Sequence, residues 1–236
     1  MNFFLFIFLV RYLGIFKDNY LNYLLYFFFI MRKFIIYSDS ARPTYNIRDL
    51  KYKGRIDILL HSIISSLFIS NSFRDDTELH LFIAGDDKNP CRITISYDEE
   101  NSISKKDLKK LLEMAFRKLK KGERRKVHPG VYVDDIVLED FLKNEDLSFY
   151  YLDYNGYHIK DYLNTLRDEL KCGGEIDVEE KSGIRVPCFI LGDYDGVNKS
   201  LRRHLKKSCR RISLGEKMYF TSQAITIINY ELDNLD

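Results

Sequence analysis

Two stretches late in the chain, Phe189-Ile190-Leu191-Gly192-Asp193-Tyr194-Asp195-Gly196 and Ile212-Ser213-Leu214-Gly215-Glu216-Lys217-Met218-Tyr219, share one pattern. In each, a short apolar run ends in glycine plus a polar residue, and a segment able to form a helix follows. An apolar run bounded in this way reads as a buried strand. In open α/β sheets, ligands sit in the crevice beyond the carboxyl ends of the strands. Glycine at that point lets the backbone adopt positive φ and approach a ligand closely. Two such turns side by side would make the floor of a small-molecule site. Two ordinary strand-to-helix turns would have the same pattern.

Other chemistries find less support in the residues. The chain has no GxGxxG, no P-loop lysine motif, no HExxH and no GxSxG. Its five histidines are scattered, so no Ser/His/Asp triad can be assembled. The cysteines, Cys91, Cys172, Cys188 and Cys209, form neither a CxxC pair nor a zinc spacing. No metal is expected, and the cysteines read as reduced thiols of a cytoplasmic protein. The formal net charge of +2 does not announce a nucleic-acid partner, but the distribution is more telling. Lys105–Lys126 carries eleven Lys/Arg against three Asp/Glu, and Lys199–Arg211 carries seven with no acid. Two basic runs favour a phosphate-rich partner, RNA or DNA, over two solvated helix faces.

The elements that would position these residues alternate. Phe34–Tyr37, Leu79–Ala84, Arg92–Ser96, Ser148–Leu152 and Phe189–Leu191 read as strands. Ile56, Leu59, Leu60, Ile63, Ile64, Leu67 and Phe68 recur on one face of a helix, and Leu108, Leu111, Leu112, Ala115, Phe116 and Leu119 on another. Asp134–Asn144, Lys199–Lys207 and Gln223–Leu235 also read as helical. Tyr157–Pro187 reads as an irregular surface insertion. The alternation predicts an α/β fold with a mostly parallel sheet. Asp57 falls in the first turn of the first helix, where a carboxylate suits the helix dipole, and Arg55 beside it reads as an exposed cation.

Residues 1–30 stand apart. They are nearly all Phe, Leu, Ile, Tyr and Asn, with two apolar runs that fall short of the roughly 20 residues a spanning helix needs. Such residues have A/T-rich codons, as translated upstream sequence would. The expectation is an apolar extension over 1–30 with no membrane role, Met31 as the initiator, and a single domain over 31–236. A membrane anchor is the competing reading.

Gly54-Arg55-Ile56-Asp57, Arg74-Asp75-Asp76-Thr77-Glu78-Leu79-His80-Leu81, Asn89-Pro90, Pro129-Gly130-Val131, Ile190-Leu191-Gly192-Asp193, Ile212-Ser213-Leu214-Gly215-Glu216-Lys217-Met218-Tyr219 and Ile225-Thr226-Ile227-Ile228-Asn229 follow one another in this order. Together they resemble the archaeal tRNA pseudouridine(54) N1-methyltransferases, the TrmY family of the SPOUT methyltransferases, from about Met31 to Asp233. The resemblance implies a SPOUT-type α/β fold, mostly parallel with helices on both faces, and a C-terminal trefoil knot. It also implies S-adenosyl-L-methionine as cofactor, tRNA as substrate and a homodimer. Carried onto this chain, it implies that the cofactor is lined by Leu152, Gly192, Leu214, Gly215, Glu216, Lys217, Met218, Tyr219 and Ala224. Tyr194 stands where the family usually has His, and Ala224 where it often has Cys. Asn164–Pro187 is longer than the family norm.

The resemblance further implies roles in the reaction. Methyl transfer to ring N1 of pseudouridine needs reactants held in line and a group that accepts or orients the N1 proton. Asp57 matches the position placed for that work, with Arg55 beside it. Arg55, Arg74 and Arg92 match cations that bind RNA. A pseudouridine in ribosomal RNA is an alternative substrate. A non-catalytic RNA-binding relative is another alternative, for which Tyr194 and Ala224 speak.

Overall fold

The computed structural model describes residues 32–43, 47, 54–70, 72–84, 90–100, 103–171 and 185–235. The N-terminal extension, the Met31 start and residues 172–184 of the long segment lie outside the described residues.

The central strand β1 (Arg32–Ser38) explains the layering. Its side chains alternate between the two sheet faces. Phe34 and Ile36 enter one apolar cluster, Ile35 and Tyr37 the other. β9 (Val186–Gly192) does the same, with Phe189 and Leu191 on the first face and Cys188 and Ile190 on the second. Such strands, apolar on both faces, are stable only with helices above and below. On the first face lie α1 (Ile56–Leu67), α2 (Leu108–Lys118), α4 (Leu163–Lys171) and α6 (Thr221–Asp233). On the second lie α3 (Leu138–Phe141) and α5 (Lys199–Ser208).

The eight-stranded sheet has the order β10-β8-β9-β1-β4-β5-β7-β6, with β4 Thr77–Ile83, β5 Cys91–Ile95, β6 Arg125–His128, β7 Val131–Asp134, β8 Leu147–His158 and β10 Arg210–Ser213. The five strands from β10 to β4 run parallel, and β4, β5, β7 and β6 pair antiparallel. A small hairpin, β2 (Phe68–Ile69) and β3 (Ser72–Phe73), stands apart from the sheet. The α/β class with a mostly parallel sheet is as the sequence predicts. No helix among the described residues is long and apolar enough to cross a membrane.

Three local readings change. The basic run to Lys126 is not one helix: α2 ends at Lys118, and Arg125–His128 pairs with Val131–Asp134 as a hairpin around Pro129-Gly130. Asp134–Asn144 is helical only over Leu138–Phe141. Tyr157–Pro187 is not irregular at its start, since β8 runs on to His158 and a 3-10 turn over Ile159–Tyr162 leads into α4. In each case strand pairing outweighed a local helical or loop pattern.

α6 closes the fold. Thr221 Oγ1 donates to the carbonyl of Gly192 at 2.7 Å, which places the start of α6 at the carboxyl edge of the parallel strands. At its other end, Asp233 accepts from Arg32 (2.8 Å) and Arg74 (3.0 Å) at the opposite edge. Asn229 joins the same cluster, accepting from Arg32 at 3.1 Å and donating to the Ser65 carbonyl of α1 at 3.0 Å. Burial works against the Asp233 carboxylate, but Arg74 and Arg32 outweigh it and hold its pKa below the ordinary range.

Candidate active site

The carboxyl ends of β1 and β9 are joined by one acidic group. Ser38 Oγ donates to Asp193 Oδ2 at 2.6 Å across 155 residues of sequence. Ser40 Oγ lies 2.8 Å from the same oxygen and 3.1 Å from the Gly54 carbonyl, and its single hydrogen serves one of them at a time. Asp193 Oδ1 accepts from the Asp195 amide at 3.0 Å and so shapes the turn after Gly192. Gly54 has φ +81°, and a Cβ there would sit 1.9 Å from the Ser40 carbonyl oxygen, so only glycine lets the chain pass.

Immediately after Gly54, Arg55 takes a left-handed conformation (φ 58°, ψ 47°). For a residue with a Cβ this costs about 1–2 kcal/mol, and strain of this kind concentrates at functional sites. Its result is a short-range fork: Arg55 Nε donates to Asp57 Oδ1 at 3.0 Å and Nη2 to Oδ2 at 2.9 Å. The Arg55 guanidinium also lies 5.2 Å from the centre of the Tyr194 ring, within cation–π range. Arg55 Nη1 has no partner among the described residues. The hydrogen bond from Arg55 holds the Asp57 carboxyl below the ordinary carboxylate range, so it is an ionised acceptor at neutral pH. Asp57 lies in the first turn of α1, as predicted, and the Tyr194 contact joins the pair to the turn after β9.

The second glycine turn ends on the same edge. β9 and β10 flank β8, so their ends lie roughly 10 Å apart at ordinary strand spacing. Gly215 has φ +102°, and a Cβ there would meet only the His158 ring, at 3.8 Å. Among the described residues, the backbone groups of Gly215–Tyr219 make no hydrogen bond. Glu216, Lys217, Met218 and Tyr219 are exposed, Met218 at 89%. Leu152 and Leu214 are half-buried against the core, and Ala224 is fully buried beneath the loop in α6. Unused backbone donors and acceptors beside uncovered apolar side chains suit a purine-bearing ligand. The residues therefore fit S-adenosylmethionine, which Leu152, Gly192, Leu214 and Gly215–Tyr219 would hold.

Two predicted RNA contacts are corrected. Arg74 is 9% exposed and gives its guanidinium to Asp233 and Asp76, at the edge opposite the glycine turns. Arg92 is 6% exposed, donates to both oxygens of Asp134 at 2.9 and 2.6 Å, and lies over the Phe141 ring. Both guanidinium groups are occupied by carboxylates, so neither is free for a phosphate. Arg92→Lys keeps the charge and loses the two-pronged fit. It should destabilise the fold by about 2 kcal/mol in a urea titration.

The sequence reading missed Ser38 and Ser40 as partners of Asp193. The one local hint was a polar run, Ser38-Asp39-Ser40, ending a buried strand just as Gly192-Asp193 does. The basic residues of α5 are exposed, and this helix starts at the site, with Asn198 capping it at 2.9 Å from the Leu201 amide.

The arrangement defines an α/β protein with a ligand site at the carboxyl edge of its parallel strands. Residues 31–236 match the family described as "Putative SAM-dependent RNA methyltransferase", and the chain belongs to that family. A relative in Thermococcus kodakarensis, named tRNA (pseudouridine(54)-N(1))-methyltransferase, is 26% identical over 87% of this chain and 100% of its own length. A relative in Vibrio cholerae, named "Putative pseudouridine methyltransferase", is 30% identical over 86% of this chain and 98% of its own. The crystal structure of Archaeoglobus fulgidus Nep1 bound to S-adenosylhomocysteine superposes with a TM-score of 0.56. It covers 87% of this chain and 99% of its own at 12% identity, a likeness of fold.

Proposed function

We propose that this chain methylates N1 of pseudouridine 54 in the T-loop of tRNA, with S-adenosylmethionine as donor. One observation carries the reading. The ionised Asp57, its partner Arg55 and the turn after Gly192 are tied into one unit through Ser40, Asp193 and Tyr194, and Thr221 ties that unit to the loop that begins at Gly215. The name of the Thermococcus kodakarensis relative, matched over its full length, supports the choice of base.

When bound, the cofactor supplies an electrophilic methyl group on a sulfonium. Asp57 accepts the hydrogen of the pseudouridine N1–H and draws the proton away as N1 becomes nucleophilic. Arg55 holds Asp57 ionised and in place, and its free Nη1 is available to a carbonyl of the base. The stacked T-loop base must be turned out into the site, at a cost of a few kcal/mol. The exposed cations of α5 supply phosphate contacts that offset it. The same reading takes residues 31–236 as one domain with a C-terminal knot, acting as a cytoplasmic homodimer. A knot would be an exception to the rule that chains do not thread loops.

The test is nucleoside mass spectrometry of tRNA containing pseudouridine 54 after incubation with the purified protein and isotopically labelled cofactor. Labelled N1-methylpseudouridine at position 54 is the expected product. Label appearing only in ribosomal RNA would move the substrate, and no label with no cofactor binding by calorimetry would leave a non-catalytic RNA-binding protein.

A further inference from the structure

Between Tyr151 and Tyr157, β8 departs from its neighbour. The residues of β10 paired with these two, Arg211 and Ile212, are adjacent, so the five residues Leu152–Gly156 stand opposite nothing. Gly156 pins the base of this projection: a Cβ there would lie 2.5 Å from the Ile212 backbone. The next residues lead to His158, whose ring lies beside Gly215. The projection therefore stands next to the candidate cofactor loop.

Its composition is unusual for a solvent-facing bulge. Tyr154 is 60% exposed and Tyr157 68% exposed. Tyr157 rests edge-to-face on Tyr162 at 6.4 Å, which supports its ring. Between the rings and α5, Asp153 gathers two cations, Lys206 at 3.0 Å and Arg211 at 3.5 Å. One carboxylate balances one of these charges and leaves a net positive pair beside two uncovered rings. Exposed aromatic faces next to cations match single-stranded nucleic acid: bases stack on the rings, and phosphates meet the charges.

We propose that Tyr154 and Tyr157 form a stacking platform for unpaired nucleotides of the RNA substrate beside the target base, with Lys206 and Arg211 taking the adjoining phosphates. The proposal rests on the reading of the chain as an RNA methyltransferase. A base turned out of a loop leaves its neighbours unstacked, and the platform gives those neighbours a surface next to the site. Stacking of this kind tolerates any base, so the platform contributes affinity and leaves the choice of base to the pocket around Asp57.

The test uses the full chain and a fluorescently labelled tRNA T-arm hairpin containing pseudouridine, with binding followed by anisotropy. Tyr154→Leu and Tyr157→Leu should each raise Kd about tenfold. Tyr154→Phe and Tyr157→Phe, which keep the ring and lose the hydroxyl, should stay within about twofold of the parent. Both side chains are exposed, so the Leu variants should melt at the parent's temperature. Cofactor affinity by calorimetry and the sedimentation coefficient should also match the parent. Leu variants that bind the hairpin as tightly as the parent overturn the platform. So does a loss of cofactor affinity in step with RNA affinity, which would make the rings part of the cofactor site. A change of assembly state overturns it too, because a second copy of the chain would then cover the rings. If the parent methylates its RNA while the Leu variants bind normally, only the platform fails. If the parent neither binds nor methylates any RNA, the functional reading fails with it.

Discussion

Asp57→Asn should lower the rate of methyl transfer to pseudouridine by about 10²–10⁴-fold, the usual contribution of a positioned proton acceptor. The substitution keeps the shape of the side chain and removes its charge. Affinity for S-adenosylmethionine should be unchanged, because the cofactor is assigned to the Gly192 and Gly215 turns. The fold should lose less than about 1 kcal/mol, since the Arg55–Asp57 pair is partly exposed. The pH profile gives a second readout. Arg55 holds the carboxyl of Asp57 below the ordinary range. The parent rate should therefore be insensitive to this group through neutral pH, and its acid limb should lie below the usual carboxylate titration. Arg55→Ala removes that support and should move the acid limb upward. The small stability contribution of the pair has the matching sign: it is present above the unfolded-state pKa of Asp57 and lost as pH falls through the lower folded-state value. Single-turnover rates across pH for the parent and the two variants check all of this. An Asn variant as fast as the parent removes Asp57 from the chemistry.

Gly54→Ala is the second large effect, and its cause is steric. The added Cβ would lie 1.9 Å from the Ser40 carbonyl oxygen and 2.5 Å from the Ala41 Cα, both backbone atoms that cannot swing aside. The residue would also have to hold φ +81°. Strain at positive φ costs about 1–2 kcal/mol, and overpacking of a close contact typically adds about 1–3. A loss of about 4–5 kcal/mol in a urea or guanidinium titration is expected, at the upper end because the clash is with backbone. Any folded fraction should also be impaired in catalysis. Relief of the clash would move Ser40 off Asp193 and disturb the left-handed turn that sets Arg55 against Asp57. Gly122 is the control, because it too has positive φ but an added Cβ there meets nothing within 4 Å. Gly122→Ala should cost only the backbone strain, about 1–2 kcal/mol. Similar losses at Gly54 and Gly122 would show that the close contact with Ser40 is not what excludes a side chain at Gly54.

The relation between sequence and site follows from which interactions are local. The strands around β1 and β9 were legible because their apolar runs are bounded by polar and glycine residues. α1 was legible because its apolar residues recur at helical spacing. The two glycine turns could be found because a glycine ending an apolar run needs no partner to be noticed, and Asp57 could be placed in a first helical turn by counting. The ordered motifs from Gly54 to Asn229 were enough to identify the family. These features depend on neighbours within a turn of helix or a few residues of strand.

Tertiary structure decided the rest. Ser38 and Ser40 gained a role only when β1 and β9 became neighbours and brought Asp193 to them from more than 150 residues away. Arg74 and Arg92 lost their predicted role because carboxylates from distant segments, Asp233 and Asp134, reach them first and bury them. The hairpin after α2 and the projection of β8 exist because strand pairing chose a register that no local pattern could state. Periodicity and glycine placement are written residue by residue, and the chain alone determined them. Which charge meets which, and which ring stays bare, depends on the closing of the sheet and on the return of α6 across it, so only the folded molecule decided them.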